Sequence, residues 1–146
     1  MFRSVQIKNI RLAVFLPVCA VILVAVCLFI LRAGAPDTVE IGGESYSLRA
    51  EDETDIEAFL AVCGYDQPQL LSTHEIRVPL HWNGIYERYQ ALQKEQGFDL
   101  VPYKGKPATE RIYKAGGRYL TVLTGEGRII AAHSCDADGG NMKGLL

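Results

Sequence analysis

Between Arg11 and Arg32 the chain reads LAVFLPVCAVILVAVCLFIL, 20 residues without a charge. As a helix rising about 1.5 Å per residue, such a run spans the roughly 30 Å hydrocarbon core of a bilayer. The sequence therefore predicts a transmembrane helix over residues 12–31. Ala33-Gly34-Ala35 has the small-x-small form of a signal-peptide cleavage site, but the run exceeds the roughly 7 to 15 apolar residues of a signal core, and Arg32 and Pro36 flank the site unfavourably. Retention as an anchor is the expectation. Leu16-Pro17-Val18-Cys19 does not read as a lipoprotein site, because bulky Val18 stands where a small residue is needed. Pro17 lies in the second turn of the span, where few backbone bonds are lost, and implies at most a mild kink.

Arg3, Lys8 and Arg11 precede the span, whereas Arg32 alone follows it closely. The positive-inside rule then puts residues 1–11 in the cytoplasm, residues 32–37 in a short linker, and residues 38–146 outside the cell. Of the 15 basic residues, 11 follow Arg32, against all 17 acidic ones, so the outer part carries a net charge of about −6. An acidic domain is a poor partner for nucleic acid or anionic lipid. Its length is usual for one domain with its own core. The span leaves an envelope protein or another cell-surface component as the expected partner.

Within the outer part, Val39 and Ile41 alternate with charge before Gly42-Gly43, and Tyr46 and Leu48 alternate after it, the pattern of a small hairpin. Thr54-Asp55-Ile56-Glu57 reads as a capping box opening a short helix. Ile56, Phe59, Leu60 and Cys63 form its apolar face, and Gly64 is its stop. The stretch HEIRVPL predicts a strand with Ile76, Val78 and Leu80 on the buried face and Pro79 marking an edge or an end. Asn83 is a cap for a second helix with an apolar stripe of Ile85, Tyr89 and Leu92. Gly97 ends that helix, and Phe98 and Leu100 return the chain to the core. Thr109 to Ala115, Tyr119 to Thr124 and Arg128 to Ser134, joined by glycine turns, predict an antiparallel meander. The fold class expected is α+β: a transmembrane helix followed by a small domain of about two helices on one face of an antiparallel sheet.

Candidate chemistry is sparse. Lys104-Gly105-Lys106 lacks the glycines and the Lys-Ser/Thr pair of a phosphate loop, and Pro107 breaks any helix after it, so a polar turn is expected. His133 and Cys135, two apart on a strand, share a face and could set an imidazole beside a thiol. With His74 or His81 recruited, they are the best case for a thiol- or metal-dependent enzyme, although no full catalytic or zinc set is evident. Asp136-Ala137-Asp138-Gly139-Gly140-Asn141 departs from a calcium loop at its fifth and sixth positions and reads as a polar turn before a short tail. No motif calls for a cofactor. Cys19 and Cys27 read as apolar packing within the span. Cys63 and Cys135 lie where an oxidising compartment permits a disulfide, worth about 4 kcal/mol if geometry allowed, though Cys63 equally reads as core. Trp82, beside His81 at a strand-to-helix joint, and His133 are the contact candidates.

The order VEIGGESYSL, DIEAFLAVCGY, IRVPL, YERYQALQKEQGFDLVPYKGK, GRIIAAHSC, MKGLL resembles an uncharacterised bacterial domain family of unknown function, carried outside the membrane behind one N-terminal helix, mostly in Gram-positive bacteria. The likeness covers about residues 38–146, and its specific part is Tyr86 to Lys106. Family members carry Gly-Trp where this chain has Gly64-Tyr65, and Gly-Gly where it has Ala131-Ala132. The resemblance implies an extracytoplasmic setting and brings no activity, cofactor or site. The functional expectation is a membrane-anchored, non-catalytic binding or interaction module. A sensor acting through the span is disfavoured by the shortness of Met1 to Arg11.

Overall fold

A computed structural model of the protein describes residues 37–41, 43–138 and 140–146, with Ile22 and Val24. The chain divides into two compact units, Met1–Ala35 and Pro36–Leu146. In the first, Ile22 and Val24 are helical and exposed. The rest of the expected span, the cytoplasmic segment, Cys19 and Cys27, and the linker before Asp37 lie outside the described residues. Among the described residues no helix is long and apolar enough to cross a membrane.

The second unit is α+β. A ribbon of β1 (Thr38–Ile41) and β2 (Glu44–Ser47) stands apart from a four-stranded antiparallel sheet, whose order is β3 (Gln69–Arg77), β4 (Pro107–Ala115), β5 (Arg118–Gly125) and β6 (Arg128–Asp136). The expected hairpin and meander are both present. The strand expected at HEIRVPL, β3, begins earlier than foreseen, at Gln69, and ends at Arg77. Leu80 is 61% exposed because it lies past that end, in the loop leading to the second helix.

Helix α1 spans Glu53–Val62, and its N-cap is Asp52, not Thr54. Asp52 Oδ1 accepts from the Asp55 N–H at 3.0 Å, while the Asp55 carboxylate accepts from the Glu51 N–H at 2.9 Å. The cap thus lies two residues upstream of the Thr-x-x-Glu pattern, and Asp55 reaches back past the Asp52 cap to the residue before it, a variant of the capping box. Helix α2 spans Gly84–Glu95 and is capped as expected by Asn83 Oδ1, which accepts from the Ile85 and Tyr86 N–H groups. Both helices end alike. Gly64 and Gly97 take φ of +89° and +83°, and the bonds Tyr65 N–H to Leu60 O and Phe98 N–H to Gln93 O close the last turns.

The sheet buries apolar residues on two faces. Tyr113, Leu120, Val122 and Ala132 meet Ile56, Phe59 and Leu60 of α1, along with Val39, Phe98 and Leu145. The alternate positions Ala108, Leu123 and Ala131 meet Val78, Leu100 and Tyr103. A bulge opposite Leu123 and Thr124 lets adjacent Ile130 and Ala131 both serve this second cluster. The helices therefore do not share one face. Helix α1 covers the first, whereas α2 supplies Tyr89 to the second and turns a different side toward the outer edge of β6.

That other side is the main departure from the sequence reading of α2. Its buried residues are Gln90 and Gln93, followed by Gln96 just past its end, while Ile85 of the apolar stripe is 66% exposed. Gln93 Oε1 accepts from the Ala132 N–H at 2.9 Å, and Gln96 Nε2 donates to the Ala132 carbonyl at 3.0 Å. Gln96 Oε1 accepts from the Leu145 N–H at 2.6 Å and the Leu146 N–H at 3.2 Å. Gln90 accepts from the Leu100 N–H and donates to Asp99. Next along β6, the Ser134 and Lys143 backbones exchange both bonds, at 2.8 and 2.9 Å. Side-chain amides and the carboxyl-terminal tail thus act as a substitute fifth strand. Primary amides suit the task because each offers a donor and an acceptor, matching the peptide group it pairs.

Candidate functional site

On the second face a groove of about 870 Å³ opens between α2 and the sheet. Ile85, Tyr89 and Leu92 form the helix wall, Ile76 to Pro79 the β3 side, Leu123 and His133 part of the floor, and Met142 of the tail one end. The stripe expected in the core is thus the lining of a cleft. Capping by Asn83 and the Gly97 stop place α2 along β6. Its glutamines then dock on the strand edge, and the helix turns Ile85 and Leu92 away from the packed interior. Charge enters sparingly, with Glu110 of β4 among the lining groups and Arg77 and Arg88 the two basic ones.

Inside, the Tyr89 hydroxyl lies 3.1 Å from His133 Nδ1, and the rings meet edge to face with centroids 5.5 Å apart. Burial pushes the His133 imidazole down to about 4, so the ring is neutral at pH 7. Burial, then the charges of Glu110 and Cys135, push the Tyr89 hydroxyl up. The pair is a neutral hydrogen bond between a weak base and a weak acid, suited to fixing the groove's shape. It is poorly suited to proton transfer near neutrality.

His133 and Cys135 point from the same side of β6, as their spacing predicted, and their strand partners are Thr121 and Tyr119. The recruited histidines do not join them. His74 lies on the opposite edge strand, paired with Glu110 of β4, and His81 lies in the loop before α2. Among the described residues no three of His, Cys, Asp and Glu converge as a metal site would require. Cys63 and Cys135 are both free thiols, so the disulfide considered from the sequence is not formed. Cys63 packs against the first cluster, whereas Cys135 occupies the alternate positions of β6 that face the groove side. Burial pushes the Cys63 thiol up to about 12, which makes it a core residue rather than a nucleophile.

Trp82 is not the exposed contact residue expected. It is half-buried, its Nε1–H donates to the Pro79 carbonyl at 2.9 Å, and Lys104 Nζ sits 3.9 Å above its ring. The other lysine of the Lys-Gly-Lys turn, Lys106, bonds Glu126 at 2.8 Å. The turn is polar and both its lysines are engaged by residues outside it, consistent with the expected joint. Asp136 pairs with Arg118 at 2.9 Å, and Asp138 Oδ1 accepts from the Gly140 N–H, so these acids serve a turn before the tail; Gly139 lies outside the described residues. The groove itself went unread in the sequence. Its one available signal was the three-residue recurrence of glutamine at 90, 93 and 96, which competes with the apolar stripe for the buried side of α2.

No family model matches the chain, and no curated protein or solved structure is found to be similar to it.

Proposed function

We propose that this chain is a non-catalytic binding module, held at the outer face of a cell membrane by residues 12–31, whose groove takes an apolar segment of another envelope protein. The observation that carries the reading is the groove of about 870 Å³ lined by Ile76, Val78, Ile85, Leu92 and Leu123. Ile85, 66% exposed, joins the other apolar residues along one cleft, and a contiguous apolar lining of this kind marks an interaction surface. The uncharged run and the basic residues that precede it support the anchoring and its direction. The competing reading, thiol chemistry at Cys135 assisted by His133, has less support, since Nδ1 is engaged by Tyr89 and burial suppresses the imidazole's basicity.

The groove is tested with the apolar dye 1-anilinonaphthalene-8-sulfonate on the full chain in a mild non-ionic detergent. Saturable binding is expected, with loss in both Ile85→Asp and Leu92→Asp. Binding that both substitutions leave untouched overturns the assignment of the site. Protease added to intact protoplasts is expected to remove the carboxyl-terminal domain, and protection of that domain overturns the topology.

A further inference from the structure

The two edges of the main sheet are treated differently. On β6, the outward-facing backbone groups of Ala132 and Ser134 are bonded by Gln93, Gln96 and Lys143. On β3 the direction of each backbone group follows from Val78, which lies just past the strand end, donates to Lys106 O and accepts from the Gly105 N–H; it therefore faces the β4 side. Peptide groups alternate sides along a strand, and the register from Ser72 to Arg77 is unbroken. The N–H and C=O groups of Thr73, Glu75 and Arg77 consequently point away from β4. Among the described residues no strand pairs with them. All three residues are exposed, between a bulge at Leu70/Ser72 and Pro79. Such an unpaired stretch can serve as a template for an added strand.

We propose that two copies of this chain pair through β3, antiparallel and two-fold about Ile76. Glu75 and Arg77 lie two apart on one side of the strand, so β3 read backwards is complementary to itself. Pairing about Ile76 sets Glu75 opposite Arg77 of the second copy, twice, and hydrogen-bonds the outward backbone groups of these two residues in both copies, while Thr73 falls opposite Pro79 and stays outside the ladder. Pairing about Glu75 instead would oppose two carboxylates, which is unfavourable. The Ile76 side chains then face each other, so the two grooves meet at the dimer axis.

The test is sedimentation velocity of the full chain in mild detergent, with reductant present to keep Cys63 and Cys135 from cross-linking. A concentration-dependent dimer is expected. Glu75→Arg and Arg77→Glu singly should each raise the dissociation constant on the order of tenfold or more, and the double reversal should restore it. Both positions are exposed, so the fold should survive, as far-UV circular dichroism would check. A chain that stays monomeric, single reversals that leave the dimer unchanged, or a double reversal that fails to restore it each overturn the proposal. Dye binding by the unaltered chain reads the groove separately from the dimer, because Ile85→Asp and Leu92→Asp lie on α2 and not on β3.

Discussion

His133 shows how one residue's setting sets a pH response. Its imidazole is held at about 4 in the fold against an ordinary value of 6.5, because burial disfavours the charged form. Between those values the unfolded chain binds a proton that the folded chain refuses, so stability is fully present above pH 6.5 and falls as pH falls toward 4. From pH 6.5 to pH 5 the loss from this group should be about 2 kcal/mol at ~1.4 kcal/mol per pH unit. Urea unfolding at the two values checks this, and His133→Gln should flatten the difference. His133 could be named from its spacing to Cys135 in the sequence, but its neutral state could not. That state depends on Tyr89, 44 positions earlier, closing over it.

Helix α2 reverses the usual relation between polarity and burial. Gln96 is 2% exposed and Ile85 is 66% exposed. Ile85→Ser should therefore change stability by no more than about 0.5 kcal/mol. Gln96→Ala should cost roughly 3 kcal/mol, since it leaves the Ala132 carbonyl and the Leu145 and Leu146 N–H groups without their partners. Equilibrium urea denaturation of both variants measures the contrast, and a hydropathy-based reading of the helix predicts the opposite order. The ends of α2 were nonetheless legible. Asn83 and Gly97 act on peptide groups within a few residues, so their effect does not depend on what the helix packs against. The start of α1 was misread by two residues for a related reason, since the stretch from Asp52 to Glu57 holds two capping patterns and only the fold selects between them.

For the Pro36–Leu146 unit as a whole, the carboxyl-terminal tail is part of the architecture. Lys143 exchanges two bonds with Ser134, and Leu145 is 9% exposed within the first cluster. Deleting Lys143–Leu146 should cost roughly 3 kcal/mol or more from the lost leucine burial and the reopened edge. The β6 strand it uncovers should also promote association of unfolded or partly folded chains. A lower urea midpoint together with turbidity on heating would report both effects. The sequence reading treated this segment as a short tail beyond a polar turn, because nothing local marks MKGLL as a strand partner.

What the amino-acid order determined alone is the set of features whose causes lie within a few residues: the uncharged run, the Asn83 cap of α2, the glycine stops of both helices, the glycine turns, and the strands of the meander. Their energetics are settled by neighbours along the chain, so no tertiary partner need be known. Only the tertiary structure decided that glutamines go inside and Ile85 lines a cleft, that Cys63 and Cys135 stay apart, and that one sheet edge is closed while the other is open. Burial is a property of what arrives from elsewhere in the chain. A primary amide is costly to bury until a peptide group such as that of Ala132 meets it with a matching donor and acceptor.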